Sequence, residues 1–129
     1  MAISTIQTDQ APAAIGPYSQ GVVAGNLLFV SGQLGLDPST GELVSPDFEP
    51  QARQSLENVK AIVLAAGGSL DRILAVDVFI THMGNFSAFN DIYQGYFDRH
   101  RPARAVVEVR NLPKGGCIEI KCTAMLPSP

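Results

Sequence analysis

The chain has 129 residues, of which 46% are hydrophobic and 16% charged, and its formal net charge is −3. This length and composition predict a single globular domain over residues 1–129. The acidic balance argues against a nucleic-acid-binding surface, although basic side chains cluster locally between residues 99 and 110. Because no segment resembles a signal peptide or reaches the roughly 18 apolar residues of a membrane span, we expect a cytoplasmic protein without a membrane partner.

The first half of the chain predicts an extended arm followed by a β-hairpin. Residues 1–16 are poor in charge and contain a proline and a glycine, which favours an extended arm over a helix. A strand near residues 20–23 and a returning strand over residues 27–31 flank a Gly-Asn turn. The second strand ends at Gly32, where glycine permits unusual backbone angles and the close approach of another group.

Two amphipathic helices and a long strand follow. The first helix is predicted from Pro50 or Gln51 to the glycine pair at 67–68, because its apolar residues recur every three or four positions. A strand is expected over residues 72–81. The second helix is predicted over residues 85–99, with an aromatic stripe made of Phe86, Phe89, Tyr93 and either Tyr96 or Phe97.

The stretch from Pro102 to Met125 contains two β-branched runs separated by a Pro/Gly break, which predicts a strand, a loop and a strand. If the apolar faces of these strands match, Arg104 and Glu119 project from the same side of the sheet. With Val106 opposite Glu119, the two charged residues become diagonal neighbours, roughly 7–8 Å apart at Cα. This spacing would suit a small molecule between a cation and a carboxylate; the alternative is two solvated charges on an outer strand.

The resulting order, β-β-α-β-α-β-β, predicts an α+β fold with one mixed sheet and two helices on one face. The other face would carry Phe29, Phe79 and Val106, so a symmetric self-association is the simplest way to cover it. Cys117 and Cys122 face opposite sides of one strand and cannot form a disulfide there, which fits a reducing compartment.

The chain lacks several familiar catalytic patterns, including G-x-S-x-G, the Walker loop and G-x-G-x-x-G. His82 and His100 have no evident nucleophile partner, and two histidines with two cysteines do not make a zinc-site framework. The remaining candidates are Arg104 and Glu119, with Tyr18 and Ser31 as rim groups. A cation for an anionic substrate and a carboxylate to handle water form a minimal hydrolytic site.

Four stretches of the sequence resemble the Rid family of reactive intermediate deaminases, also known as the YjgF or L-PSP endoribonuclease family. The resemblance covers nearly the whole chain, and the combination of motifs is specific. The matching stretches are residues 13–20, residues 30–33, residues 51–59, and a C-terminal signature containing Pro102, Arg104, Val107, Arg110, Leu112 and Ile118-Glu119-Ile120.

The resemblance implies a chorismate-mutase-like fold assembled as a homotrimer, with three sites in the clefts between subunits. It implies hydrolysis of 2-imino acids and their enamines, such as 2-iminobutanoate and 2-iminopropanoate, to 2-keto acids and ammonia, without a cofactor or metal. The matching arginine, Arg104, would bind the substrate carboxylate, and Glu119 would act on water at the imine carbon. Further site-lining positions correspond to Tyr18, Ser31, Gly32 and Asn90.

Two departures from the family pattern concern the site. Val106 stands where many members have a cysteine, and residues 98–102 are more basic than the Asn-Phe-Pro that is common there. The first change removes a thiol, and the second bears on the preferred substrate side chain. Two other functions stay open: a single-stranded RNA endoribonuclease or translation initiation inhibitor, and a non-catalytic small-molecule-binding or chaperone-like trimer.

Overall fold

The computed structural model describes residues 2–128, which form one six-stranded sheet and two α-helices. The elements in chain order are β1 (Ile3–Ile6), β2 (Gly21–Ala24), β3 (Leu27–Leu34), α1 (Phe48–Ala65), β4 (Ile73–Ile80), α2 (Phe86–Gln94), β5 (Ala103–Glu108) and β6 (Ile118–Met125). The strand order across the sheet is β1-β2-β3-β6-β4-β5.

The sheet is mixed, as predicted. Strand β5 runs parallel to β4, whereas the other neighbouring strands run antiparallel. Helix α2 makes the parallel pair possible. It carries the chain from the end of β4 back to the edge of the sheet where β4 begins, so β5 can run in the same direction as β4. Strand β6 then enters the middle of the sheet, between β3 and β4.

Both helices cover the same face of the sheet, which confirms the predicted α+β arrangement. Ile62 and Val63 of α1 and Phe89 of α2 are fully buried, and they belong to one core with the inward side chains of the strands. Burying an aliphatic or aromatic side chain of this size contributes roughly 1.5–3 kcal/mol, so this layer stabilises both helices on the sheet. The inward strand residues are Leu28, Val30, Val76, Val78, Ile80, Ile118, Ile120, Cys122 and Ala124.

Two element predictions were wrong. Residues 3–6 form a strand paired with β2 instead of a free arm, because Ile and Thr suit an extended edge strand, and the sheet therefore has six strands rather than five. The second helix ends at Gln94 instead of residue 99. Gly95 follows and donates its N–H to the Ile92 carbonyl, and the glycine ends the helix before the last aromatic residues.

The face of the sheet opposite the helices is partly apolar and is not covered by a helix from the described residues 2–128. Phe29 is 47% exposed and Val107 is 44% exposed, and the half-buried Phe79 lies opposite Val107 on β4. Val106 was expected on this face, but it pairs with Val78 and packs against the core instead. Because alternation alone does not tell which side of an edge strand is covered, the sequence assigned Val106 to the wrong side.

The two cysteines are free thiols, and Cys122 is buried in the core. Cys117 lies just before β6, half-buried, with its Sγ 3.1 Å from the side-chain oxygen of Gln51. In the described range, neither helix combines the length and the apolar composition needed to cross a lipid bilayer.

Candidate functional site

Glu119 lies near the start of β6, between Leu34 of β3 and Phe79 of β4. Its side chain is on the sheet face that carries no helix, and it is half-buried. Burial raises the pKa of the Glu119 carboxyl above its ordinary value of 4.5, because the charged form loses hydration. A carboxylate with a raised pKa is a stronger base than an exposed one.

The carboxyl of Glu119 rests against a bulge in β3. The register between β3 and β6 shifts between Val30 and Gln33, which leaves Ser31 and Gly32 outside the regular ladder. A Cβ atom at Gly32 would lie 2.8 Å from Cδ of Glu119 and 2.9 Å from its Oε2. The predicted close approach at Gly32 is therefore confirmed, and the approaching group is the Glu119 carboxyl.

Four predicted site residues share one cavity of about 510 Å³, here called the acid cavity. Tyr18 is 52% exposed and forms part of its rim. The Ser31 hydroxyl donates to the Ser19 carbonyl at 2.5 Å, and the Ser31 N–H donates to the Gln20 carbonyl at 2.9 Å. Ser31 thus fixes the segment that presents Tyr18. The lining comprises Pro12, Ala13, Ile15, Tyr18, Ser31, Gly32, Gln33, Leu34, Leu36, Pro113, Lys114 and Glu119.

Three buried polar residues of α1 hold the walls of the acid cavity in place. The Ser55 hydroxyl donates to the Gln33 carbonyl at 2.6 Å, and the Asn58 amide donates to the carbonyls of Leu34 and Leu36. Gln51 accepts the backbone N–H of Cys117 at 2.9 Å, two residues before Glu119. Sequence reasoning missed these positioning residues. The sequence pattern that could have indicated them is the position of these polar residues next to the apolar stripe of the predicted first helix, where they would be buried.

Arg104 lies on β5 and is held by side chains of α2. Its Nη1 donates to Oδ1 of Asn90 at 2.9 Å. Its guanidinium carbon is 4.7 Å from the ring centroid of Tyr93, and the rings of Phe86 and Phe89 lie 5.8 and 5.9 Å away. Such contacts orient a guanidinium while leaving other N–H donors free for a ligand.

A second cavity of about 260 Å³, here called the arginine cavity, adjoins this guanidinium. The predicted residues Asn90 and Arg104 therefore come together, as the other four do in the acid cavity. The arginine cavity is lined by Asn90, Tyr93, Gln94, Phe97, Arg101, Pro102 and Arg104.

The predicted convergence of Arg104 and Glu119 within one chain is wrong. Arg104 pairs with Val76 of β4, which faces the helices, whereas Glu119 pairs with Phe79, which faces the other way. Strand β4 also lies between the two strands, so Val106 and Glu119 are not cross-strand partners. The apolar pattern predicted that Ala105, Val107 and Val109 of this segment face the core. In the structure Arg104 and Val106 are on the core side of β5, and Val107 is on the other side.

Within residues 2–128, no group of three or more His, Cys, Asp or Glu side chains is arranged to hold a metal ion. His100 is engaged elsewhere, because its Nε2 lies 2.5 Å from the Ile73 carbonyl and donates to it. The two cavities present the half-buried Glu119 carboxyl and the oriented Arg104 guanidinium, with the ionisable side chains of Tyr18, Lys114 and Arg101 also in their linings.

Comparison with protein-family models gives one match, to the family described as Endoribonuclease L-PSP, over residues 8–126. The chain belongs to this family, the Rid or YjgF family. A RutC family protein from Pyrococcus horikoshii is 50% identical over 119 residues, spanning 92% of this chain and 94% of the relative. A protein from Capra hircus named 2-iminobutanoate/2-iminopropanoate deaminase is 44% identical over 120 residues, spanning 93% and 88%.

Solved structures agree closely with this Rid-family chain. A Yersinia pestis protein of the Rid family superposes with a TM-score of 0.94 at 47% identity, covering 97% of this chain and all of the other. Escherichia coli TdcF, solved with bound serine, gives a TM-score of 0.91 at 46% identity and covers 96% and 99%. The predicted family and fold class are thereby confirmed.

Proposed function

We propose that this Rid-family protein hydrolyses reactive 2-imino acids and their enamines, such as 2-iminobutanoate and 2-iminopropanoate, to 2-keto acids and ammonia. The observation that carries the proposal is the pair of cavities, one with an oriented guanidinium and one with a carboxyl of raised pKa. A cation for the substrate carboxylate and a base for water are the two groups that this hydrolysis needs. The named activity of the Capra hircus relative and the serine bound to TdcF support it.

We infer that a complete site forms between two copies of the chain in a homotrimer, with the arginine cavity of one copy facing the acid cavity of its neighbour. One chain carries Arg104 and Glu119 on opposite sides of the sheet, so neither cavity alone has both groups. The uncovered apolar sheet face, with Phe29 and Val107 more than two-fifths exposed, offers a surface for such an assembly.

Arg104 binds the carboxylate beside the imine carbon. A guanidinium presents N–H donors in a planar fork that matches both carboxylate oxygens, which a lysine does not. Asn90 occupies one donor of Arg104 and the α2 rings restrict its rotation, so the remaining donors are oriented before substrate arrives. Hydrogen bonds to a charged group contribute roughly 1.5–3 kcal/mol, which is enough to orient a small imino acid.

Glu119 acts as the general base and then as the general acid. Its carboxylate accepts a proton from water while the water oxygen bonds to the iminium carbon, giving a tetrahedral amino alcohol. The carboxyl returns the proton to nitrogen. The C–N bond then breaks as the hydroxyl proton passes to the Glu119 carboxylate, which leaves the carbon doubly bonded to oxygen in the keto acid and releases ammonia. Transfer of that proton to the departing ammonia or to water restores the base. Because imines already hydrolyse in water, positioning and one tuned carboxyl are sufficient.

The experiment adds purified protein to a threonine dehydratase reaction and follows the appearance of 2-oxobutanoate. We expect wild type to accelerate this step, Arg104→Ala to lower kcat/KM by about 100-fold or more, and Glu119→Gln to lower it by about 100- to 10,000-fold. Arg110→Ala is the matched control, because this exposed arginine lines neither cavity. Equal rates for wild type and Arg104→Ala would end the proposal.

The pH profile provides a second readout. Since catalysis needs the ionised carboxylate, kcat/KM falls as pH drops through the Glu119 pKa, which burial places above 4.5. Burial raises the pKa of Tyr93 to about 12, so this phenol stays neutral across that range. We expect the acidic limb to disappear in Glu119→Gln, and a limb that persists there would assign the base to another group.

An endoribonuclease is the second candidate, because the matching family model carries that description. It predicts cleavage of single-stranded RNA that survives further purification and is lost in Arg104→Ala or Glu119→Gln. RNA that stays intact while imine is hydrolysed would decide for the deaminase. Tight binding of a keto acid without turnover would instead indicate a non-catalytic module.

A further inference from the structure

A second guanidinium, that of Arg101, lines the same cavity as Arg104. Only Ala103 and Pro102 separate the two residues along the chain, and the proline ring restricts the backbone between them. Arg101 belongs to the segment that is more basic here than in the family pattern. A role for Arg101 rests on the proposed imine hydrolysis and concerns which imines enter the site.

Both guanidiniums donate hydrogen bonds to neutral acceptors. Nε of Arg101 donates to the backbone carbonyl of Asp98 at 3.2 Å, and Nη1 of Arg104 donates to the neutral amide of Asn90. The bond from Arg101 uses one of its five donors, so the outer edge of its fork remains for a ligand.

Two positive groups on one small concave wall create a local excess of positive charge. Like charges that face the same cavity repel one another, and an anion between them relieves the repulsion as well as forming new hydrogen bonds. A single carboxylate on Arg104 leaves the charge of Arg101 unmatched. A ligand with two carboxylates matches both, and the Gln94 amide on the same wall adds a neutral polar group beside them.

We propose that Arg101 determines substrate specificity by binding a second carboxylate, so that the preferred substrates are 2-imino dicarboxylic acids. Arg104 binds the carboxylate next to the imine carbon, and Arg101 binds the distal one. The reaction is unchanged: water adds to the C=N carbon and the C–N bond breaks. The products are ammonia and a 2-keto dicarboxylic acid. No oxidant or reductant is consumed.

The test compares two imines that differ by one carboxylate. Iminosuccinate is generated in place by an aspartate oxidase and iminopropanoate by an alanine-oxidising enzyme, and keto-acid formation is corrected for uncatalysed hydrolysis. The variants are Arg101→Gln, which removes the charge, and Arg101→Lys, which keeps it. Arg99→Gln is the matched control, because Arg99 is a neighbouring exposed arginine outside the cavity lining.

We expect Arg101→Gln to lower kcat/KM for iminosuccinate by about tenfold while kcat/KM for iminopropanoate stays within about twofold, as removing one charged hydrogen-bond donor predicts. Arg101→Lys should retain most of the preference, and Arg99→Gln should match wild type. If Arg101→Gln lowers kcat/KM for both imines equally, or for neither, the specificity role of Arg101 is wrong and the proposed deaminase activity still stands. If wild type hydrolyses neither imine, the proposed function itself is wrong and this inference falls with it.

Discussion

The two cavities of the candidate site are held in different ways. Around Glu119 the walls are fixed by buried hydrogen bonds from α1 to backbone carbonyls, and by a glycine that lets the carboxyl lie against the β3 bulge. Arg104 instead lies on the edge strand β5, where one amide and three rings of α2 orient an exposed side chain. The acid cavity is therefore fixed through hydrogen bonds to its backbone, whereas the arginine cavity is fixed through contacts with the Arg104 side chain. Neither half holds both reacting groups, so under the proposed function catalysis depends on assembly.

The largest expected effect is recovery of activity from two inactive variants. If each site takes Arg104 from one chain and Glu119 from another, a mixture of Arg104→Ala and Glu119→Gln chains contains some intact sites. A site is intact when its arginine comes from a Glu119→Gln chain and its glutamate from an Arg104→Ala chain. With random assembly at equal amounts, about a quarter of the sites meet this condition.

The measurement is imine hydrolysis after the two variants are denatured together and refolded, or produced together in one cell. Each variant refolded alone is the control and should stay at background. Persistent background activity in the mixture, with trimers confirmed by light scattering, would show that both groups act from the same chain.

Replacing Gly32 of β3 and Gly35, which directly follows β3, should separate an effect on the site from an effect on the fold. At Gly32 a new Cβ meets the end of the Glu119 side chain, which can move, so Gly32→Ala should lower kcat by about 10- to 100-fold through a displaced base. At Gly35 the new Cβ would lie 2.6 Å from both Cα and the carbonyl oxygen of Gln51, which are backbone atoms. Gly35→Ala should therefore cost about 1–3 kcal/mol of stability.

Thermal unfolding and kinetics together check this pair. We expect Gly32→Ala to keep its Tm within a few degrees of wild type and Gly35→Ala to lose about 5–10 °C. A large loss of Tm in Gly32→Ala without a specific loss of kcat would mean that this glycine serves the β3 bulge rather than the position of Glu119.

The regions that the sequence predicted correctly are those with strong local signals. Apolar spacing in α1 and the glycine at position 32 each reflect a constraint that a few neighbouring residues impose. The fold class followed from the order of such elements. The glycine in particular indicated a close approach before its partner was known.

The errors about the site concern partners that are distant along the chain. Alternation in residues 103–109 fits either face of a sheet, and only the parallel return through α2 decides that Arg104 faces the helices. The β5–β6 pairing failed for a similar reason, because β4 occupies the place beside β6. The hydrogen bonds from Ser55 and Asn58 to backbone carbonyls of β3 join residues that are 22 and 24 positions apart in the sequence, and no local sequence pattern indicates such bonds.

The smallest expected effect concerns the ring beneath Arg104. Tyr93→Leu removes the face that lies 4.7 Å from the guanidinium carbon, and losing a cation–π contact of about 0.5–1 kcal/mol should raise KM by about two- to fivefold with little change in kcat. The measurement is steady-state imine hydrolysis at several substrate concentrations, with Tm recorded because Tyr93 is also part of the core.

Tyr93→Phe is the matched control, because it keeps the ring and removes only the hydroxyl. That hydroxyl is buried and lacks a hydrogen-bond partner among the residues that the structure describes. Removing an unpaired buried hydroxyl relieves its desolvation cost, so Tyr93→Phe should keep the wild-type KM and unfold at an equal or higher temperature. If Tyr93→Phe raises KM as much as Tyr93→Leu does, the hydroxyl rather than the ring face supports Arg104, and the guanidinium is held by a polar contact that forms only in the assembled site.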